Sequence, residues 1–91
     1  AGGIALKHYK YWEDEDGYVR GAIWNDETPL IETLMFDTLA EVQCGGQRFM
    51  RGGPKAAREA FAEYPGEDMD REKFNRYVAP FAGFKRLGSN L

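Results

Sequence analysis

Two aromatic-rich runs, HYKYW at residues 8–12 and YVRGAIW at residues 18–24, flank the polar interval EDEDG. Aromatic and β-branched residues favour strands, and Asp16-Gly17 is a turn signal because glycine accepts the positive φ of a tight hairpin. The pattern predicts an antiparallel hairpin with strands over residues 6–13 and 18–25, placing Tyr9, Tyr11 and Trp12 across the ladder from Tyr18, Arg20 or Trp24. Both faces of such a hairpin carry aromatics. One must meet a core, and the other is either covered by a helix or left as an adhesive surface.

The segment TPLIETLMFDTLAEVQCGG supports two parses. Thr28 can cap a helix and Pro29 suits its first turn, while Ile31, Leu34, Met35, Leu39 and Val42 recur at helical spacing before Gly45-Gly46. That pattern favours a helix over residues 29–43. The rival parse makes LIETLMF a strand and DTLA a turn, with EVQC and QRFM forming a hairpin closed by Gly45-Gly46. In both parses QRFMR, residues 47–51, is a strand that leads through Gly-Gly-Pro into a helix.

The later elements are plainer. PKAAREAFAEYP has Pro54 in a first turn, helix formers through Glu63 and Pro65 as a stop, with Ala57, Ala60, Phe61 and Tyr64 on one face. GEDMDREKFNRYVAPF has Asp68 or Asp70 as cap, Phe74, Tyr77, Val78 and Phe81 as an apolar stripe, and Pro80 to end or kink it. AGFKRLGSNL lacks a strong pattern; Phe84 and Leu87 are expected to fold back onto the core and residues 88–91 to be mobile. The sum is a small α+β domain, an antiparallel sheet (the N-terminal hairpin plus at least one more strand) packed with two or three helices.

Composition bounds this picture. At 91 residues, 43% hydrophobic and 14% aromatic, the chain suits one domain and not two. A domain near this size hides roughly 60–65% of its unfolded surface, so aromatics must supply much of the core. The single cysteine, Cys44, excludes an internal disulfide, and no Cys/His cluster suggests zinc or another cofactor. No apolar run approaches the roughly 20 residues of a membrane span and no signal-peptide pattern opens the chain, so a soluble, cytoplasmic protein is expected. The opening AGG suggests processing or a cloning remnant, and residues 1–3 are left out of the fold argument as disordered.

Charge divides the chain. Residues 1–46 hold nine acids against Lys7, Lys10 and Arg20, a net of −6, whereas residues 47–91 hold nine bases against six acids, a net of +3. An acidic N-terminal half repels nucleic-acid phosphates and attracts basic surfaces. The densest acids are Glu13, Asp14, Glu15 and Asp16, beside Trp12 and Tyr18. Asp14-Glu15-Asp16-Gly17 is not an EF-hand opening: counted from Asp14, the sixth position is Val19 and the twelfth Asn25, where that loop needs Gly and Glu. Acids in an exposed turn share water, which gives them no environment to separate their pKa values for acid–base catalysis. They are a solvated turn or the edge of a contact surface.

Catalytic candidates are few. His8 is the lone histidine and Ser89 the lone serine, near the chain end, so a Ser-His hydrolase is not supported. A small enzyme or enzyme subunit using His8 or Cys44 is a weak alternative, since Cys44 beside glycines reads as a small core side chain. Arg48, Arg51, Lys55 and Arg58 around Gly52-Gly53 and a helix start could receive a phosphate or nucleic acid, but the spacing matches no P-loop or dinucleotide fingerprint.

The runs VRGAIWNDE, LIET and GGQRFMRGGP, over residues 19–54, resemble in order a pattern in small proteins of phages and mobile elements. In these, an Arg-Gly-aromatic strand, a Thr-containing strand and a Gly-turn hairpin precede a helix. The resemblance implies the meander parse and a compact accessory protein that works by binding, such as the anti-CRISPR inhibitors of host defence complexes. It carries no catalytic residue across.

The leading expectation is therefore a non-enzymatic module, an inhibitor in that reading, that binds a protein with a basic surface. Glu13, Asp14, Glu15, Asp16, Asp26 and Glu27 would steer the encounter, and Tyr11, Trp12 and Tyr18 would supply contacts.

Overall fold

A computed structural model describes residues 5–87; the expectations for residues 1–3 and 88–91 lie outside the described residues. Strands β1 (Lys7–Glu13) and β2 (Val19–Asn25) form the expected hairpin, with His8 opposite Trp24 and Trp12 opposite Arg20. The chain then continues as β3 (Leu30–Asp37) and β4 (Val42–Phe49), each antiparallel to its predecessor. The helix expected over residues 29–43 is not formed. Its apolar residues are divided instead by the two-residue period of a strand: Ile31 and Met35 lie on one face, Leu34 and Phe36 on the other. The hairpin expected at Gly45-Gly46 is absent too, because both glycines sit within β4 and the turn falls at residues 38–41, where Glu41 takes a φ of 56°.

Helix α1 (Gly53–Glu63) crosses one face of the sheet, burying Ala57, Ala60 and Phe61 against Ala22, Trp24 and Ile31. The small alanines let the helix approach closely enough for Phe61 to tilt against Trp24, ring centroids 5.8 Å apart. Helix α2 (Arg71–Val78) covers the opposite face, where Phe74 packs with Tyr9 and Met69. Asp70 is its N-cap, accepting from the Lys73 amide at 2.8 Å. Gly21 makes this approach possible: a Cβ there would lie 3.3 Å from the Phe74 ring.

The C-terminal half is thus a belt around the sheet. Between the helices, Met69 exchanges both main-chain hydrogen bonds with Tyr9, closing the outer edge of β1. After α2, a 3-10 turn at Ala79–Phe81 contains Pro80, and β5 (Lys85–Leu87) then pairs parallel to β4 at Val42–Cys44. The sheet order is β1-β2-β3-β4-β5. Phe84 returns to the core beside Phe36 and Phe81, as expected, but Leu87 does not: it is 43% exposed at the sheet edge. No helix among the described residues is long and apolar enough to cross a membrane.

Candidate functional site

The acidic stretch is partly consumed in making its own turn. Asp14 Oδ1 accepts from the amides of Asp16 and Tyr18 at 2.9 and 3.0 Å, and Oδ2 accepts from Arg20 Nε at 2.7 Å. The Arg20 bond, ahead of the two amides, holds the Asp14 carboxyl below the usual carboxylate range. Asp14 is therefore a structural anion. Glu13, Glu15 and Asp16 are exposed, and among the described residues they make no ion pair.

Tyr11 and Trp12 cannot form one contact surface, because adjacent strand residues point to opposite faces. Trp12 stacks on Tyr64 at the end of α1, ring centroids 5.3 Å apart, and Tyr11 stacks on Tyr77 of α2 at 4.8 Å. Partial burial, then the neighbouring Glu13 charge, raises the Tyr11 pKa. Tyr18 is half-buried in the turn. Trp12 and Tyr11 clamp the two helices to β1.

Topology adds acids that lie elsewhere in the sequence. In a meander, the β1–β2 and β3–β4 turns emerge at the same end of the sheet, two strand spacings or roughly 10 Å apart. Asp37 Oδ1 accepts from the Leu39 and Ala40 amides at 3.0 Å, shaping the second turn as Asp14 shapes the first. This turn presents the exposed Glu41 and holds Leu39 at 97% exposure. The resulting end carries Glu13, Glu15 and Asp16 on one turn and Leu39 and Glu41 on the other, with the exposed Lys85 beside Glu41.

Asp26 and Glu27 are at the other end of the same strands, roughly 20 Å away. Asp26 accepts from the Leu6 amide at 3.2 Å and faces His8 Nε2 at 3.4 Å; the amide bond first, and His8 and Arg58 after it, lower its pKa. His8 Nδ1 lies 2.8 Å from Asp68 Oδ2, and its ring stacks on Trp24 at 5.2 Å. His8 thus ties β1 to the β2–β3 turn and to the loop before α2. Cys44 is three strands away from it, opposite Met35, so the sheet does not bring the two together. Among the described residues no group of His, Cys, Asp or Glu is arranged to hold a metal ion.

The basic candidates also separate. Arg48 donates to the Tyr64 hydroxyl at 3.3 Å, and the Arg58 guanidinium lies over Trp24, 5.1 Å from the ring centroid. Arg51 and Lys55 are exposed around the start of α1, whose cap residue Gly52 offers no side chain. No protein-family model matches the chain, and comparison with curated proteins and with solved structures gives no significant match.

Sequence patterning could not reveal Asp37, Leu39 and Glu41 as neighbours of the acidic turn, since their proximity depends on the meander. The repeated Asp-x-x turn chemistry, Asp14 and Asp37 each accepting from amides just downstream, was the available signal.

Proposed function

We propose that this protein is a non-enzymatic protein-binding module whose acidic end docks on a basic partner surface. The observation that carries the reading is the fully exposed Leu39 set among Glu13, Glu15, Asp16 and Glu41 on two adjacent turns. Carboxylates within about one Debye length of each other act as a single field, which speeds encounter with a basic patch and orients it. An apolar tip inside that field supplies contact once water is expelled. In the more specific form implied by the resemblance, the chain is an inhibitor carried by a phage or mobile element, and the basic surface belongs to a host defence complex.

Affinity capture from the native host, followed by binding kinetics on the captured protein, tests this reading. The combined Glu13→Gln, Glu15→Gln, Asp16→Asn and Glu41→Gln variant should associate at least about tenfold more slowly at low salt, with an unchanged melting temperature. An unaltered association rate at low salt would remove the acidic end from the interface.

A further inference from the structure

The two outer edges of the sheet are finished differently. On β1, Met69 exchanges hydrogen bonds with Tyr9 at 2.8 and 3.1 Å, and Gly66 passes so close that a Cβ on it would lie 2.7 Å from the Tyr11 carbonyl oxygen. That edge is bridged at Tyr9 and covered at Tyr11. On β4, β5 pairs only with Val42–Cys44, and among the described residues no strand covers Gly45 to Phe49.

The register decides which backbone groups are available there. The Met50 amide bonds inward to the Pro29 carbonyl, whereas the Glu41 carbonyl bonds outward to the Lys85 amide. Alternation along β4 then points the main-chain groups of Gly45, Gln47 and Phe49 away from β3. The Cys44–Leu87 bridge takes up the Gly45 amide, and the outward groups of Gln47 and Phe49 remain as a template for another strand. The usual protections, an edge proline or a covering loop, are absent from this stretch among the described residues.

Gly45-Gly46 also leaves space on both sides of the edge. A cavity of about 420 Å³ lies on the α2 face, bordered by Ile23, Leu34 and Leu87, and one of about 360 Å³ lies on the α1 face, bordered by Trp12, Thr33, Met35 and Tyr64. A strand added here would send alternate side chains into the two cavities. The charges around the gap are mainly basic: Lys85 and Arg86 on β5 at one end, Arg48, Arg51 and Lys55 at the other, all exposed, against Glu41 beside Lys85 and Glu32 one strand inward.

We infer that the Gly45–Phe49 edge of β4 is a second docking site, which takes an extended acidic peptide segment of a partner protein by strand addition. Main-chain bonds to Gln47 and Phe49 supply affinity, the two cavities select the alternating side chains, and the basic border selects acidic flanks. Like charges on Arg48 and Arg51 oppose a second copy of this chain at the same edge. The inference does not depend on the acidic end being an interface.

Fluorescence anisotropy with a labelled peptide of five valines flanked on both sides by glutamates tests the site, against the same peptide flanked by lysines as control. The acidic peptide should bind, the basic one should not, and hydrogen exchange at the Gln47 and Phe49 amides should slow on binding. Gln47→Pro removes an outward N–H without breaking the β3–β4 ladder and should weaken binding about tenfold in a protein that melts normally. Arg48→Glu with Arg86→Glu should weaken it further at low salt and leave little salt dependence. Equal binding of both peptides, or Gln47→Pro binding like the parent, would overturn the inference. So would self-association of the protein that Gln47→Pro abolishes, because it would assign the edge to a second copy.

Discussion

The Lys10 ammonium donates to the carbonyl oxygens of Tyr64 at 2.7 Å and Ala62 at 3.3 Å, so a strand residue closes the C-terminal end of helix α1. Lys10 is only 6% exposed, and its nitrogen also lies over the Phe61 ring, 5.2 Å from the centroid. A cation at this end complements the helix dipole and satisfies carbonyls that would otherwise be orphaned. Lys10→Met keeps the aliphatic stem and leaves those carbonyls without a donor. The expected loss is about 1–3 kcal/mol in urea unfolding, with the folded circular dichroism spectrum preserved.

Gly66 should tolerate no side chain. Its φ is +93°, and a Cβ would meet the Tyr11 carbonyl oxygen at 2.7 Å, backbone that cannot rotate away. Gly66→Ala combines left-handed strain with a steric clash against β1 and should cost about 2 kcal/mol or more. Loosening of the belt is checked by faster exchange of the Tyr9 and Met69 amides, which bond each other across this edge.

Phe74 is 3% exposed and fills the space over Gly21. Phe74→Ala should destabilise by about 3–5 kcal/mol through lost burial and a cavity. Gly21→Val should act through the same contact from the other side, pushing the ring out at a cost of about 1–3 kcal/mol. A double-mutant cycle of the two in chemical denaturation should show coupling, because the smaller residue makes room for the larger.

The Arg20 bond lowers the Asp14 pKa, and the Leu6 amide lowers that of Asp26. A carboxyl whose folded pKa lies below its unfolded value, about 3.9, contributes stability above that value and loses it as pH falls through the folded pKa. The melting temperature should therefore drop as the solution is acidified from about pH 5 to pH 2. Asp14→Asn should melt lower than the parent at pH 7 and show a shallower acid dependence. Parallel curves for the two proteins would remove Asp14 as a stabilising anion.

The local elements were legible wherever one interaction range decided them. Aromatic alternation and Asp16-Gly17 specified the first hairpin, and first-turn Pro54 with an alanine-rich face, and the cap Asp70, specified the two helices. Residues 30–49 are less legible. Ile31, Leu34 and Met35 satisfy helical spacing and are also compatible with strands buried from both sides, and only the partner β2 selects the strand. Gly45-Gly46 permits a turn, yet neither has a positive φ, and within β4 the missing side chains leave space on the two sheet faces.

Composition and nearest-neighbour turn chemistry do not depend on long-range contacts, so the α+β class, the charge division and the acidity of the first turn follow from the chain's local residues alone. Tertiary structure decided which acids are neighbours. The meander placed Asp37, Leu39 and Glu41 beside the first turn and sent Asp26 and Glu27 to the far end, while Asp14 was drawn into Arg20. It also turned Tyr11 and Trp12 to opposite faces, each against its own helix, since consecutive side chains on a pleated strand cannot share a side.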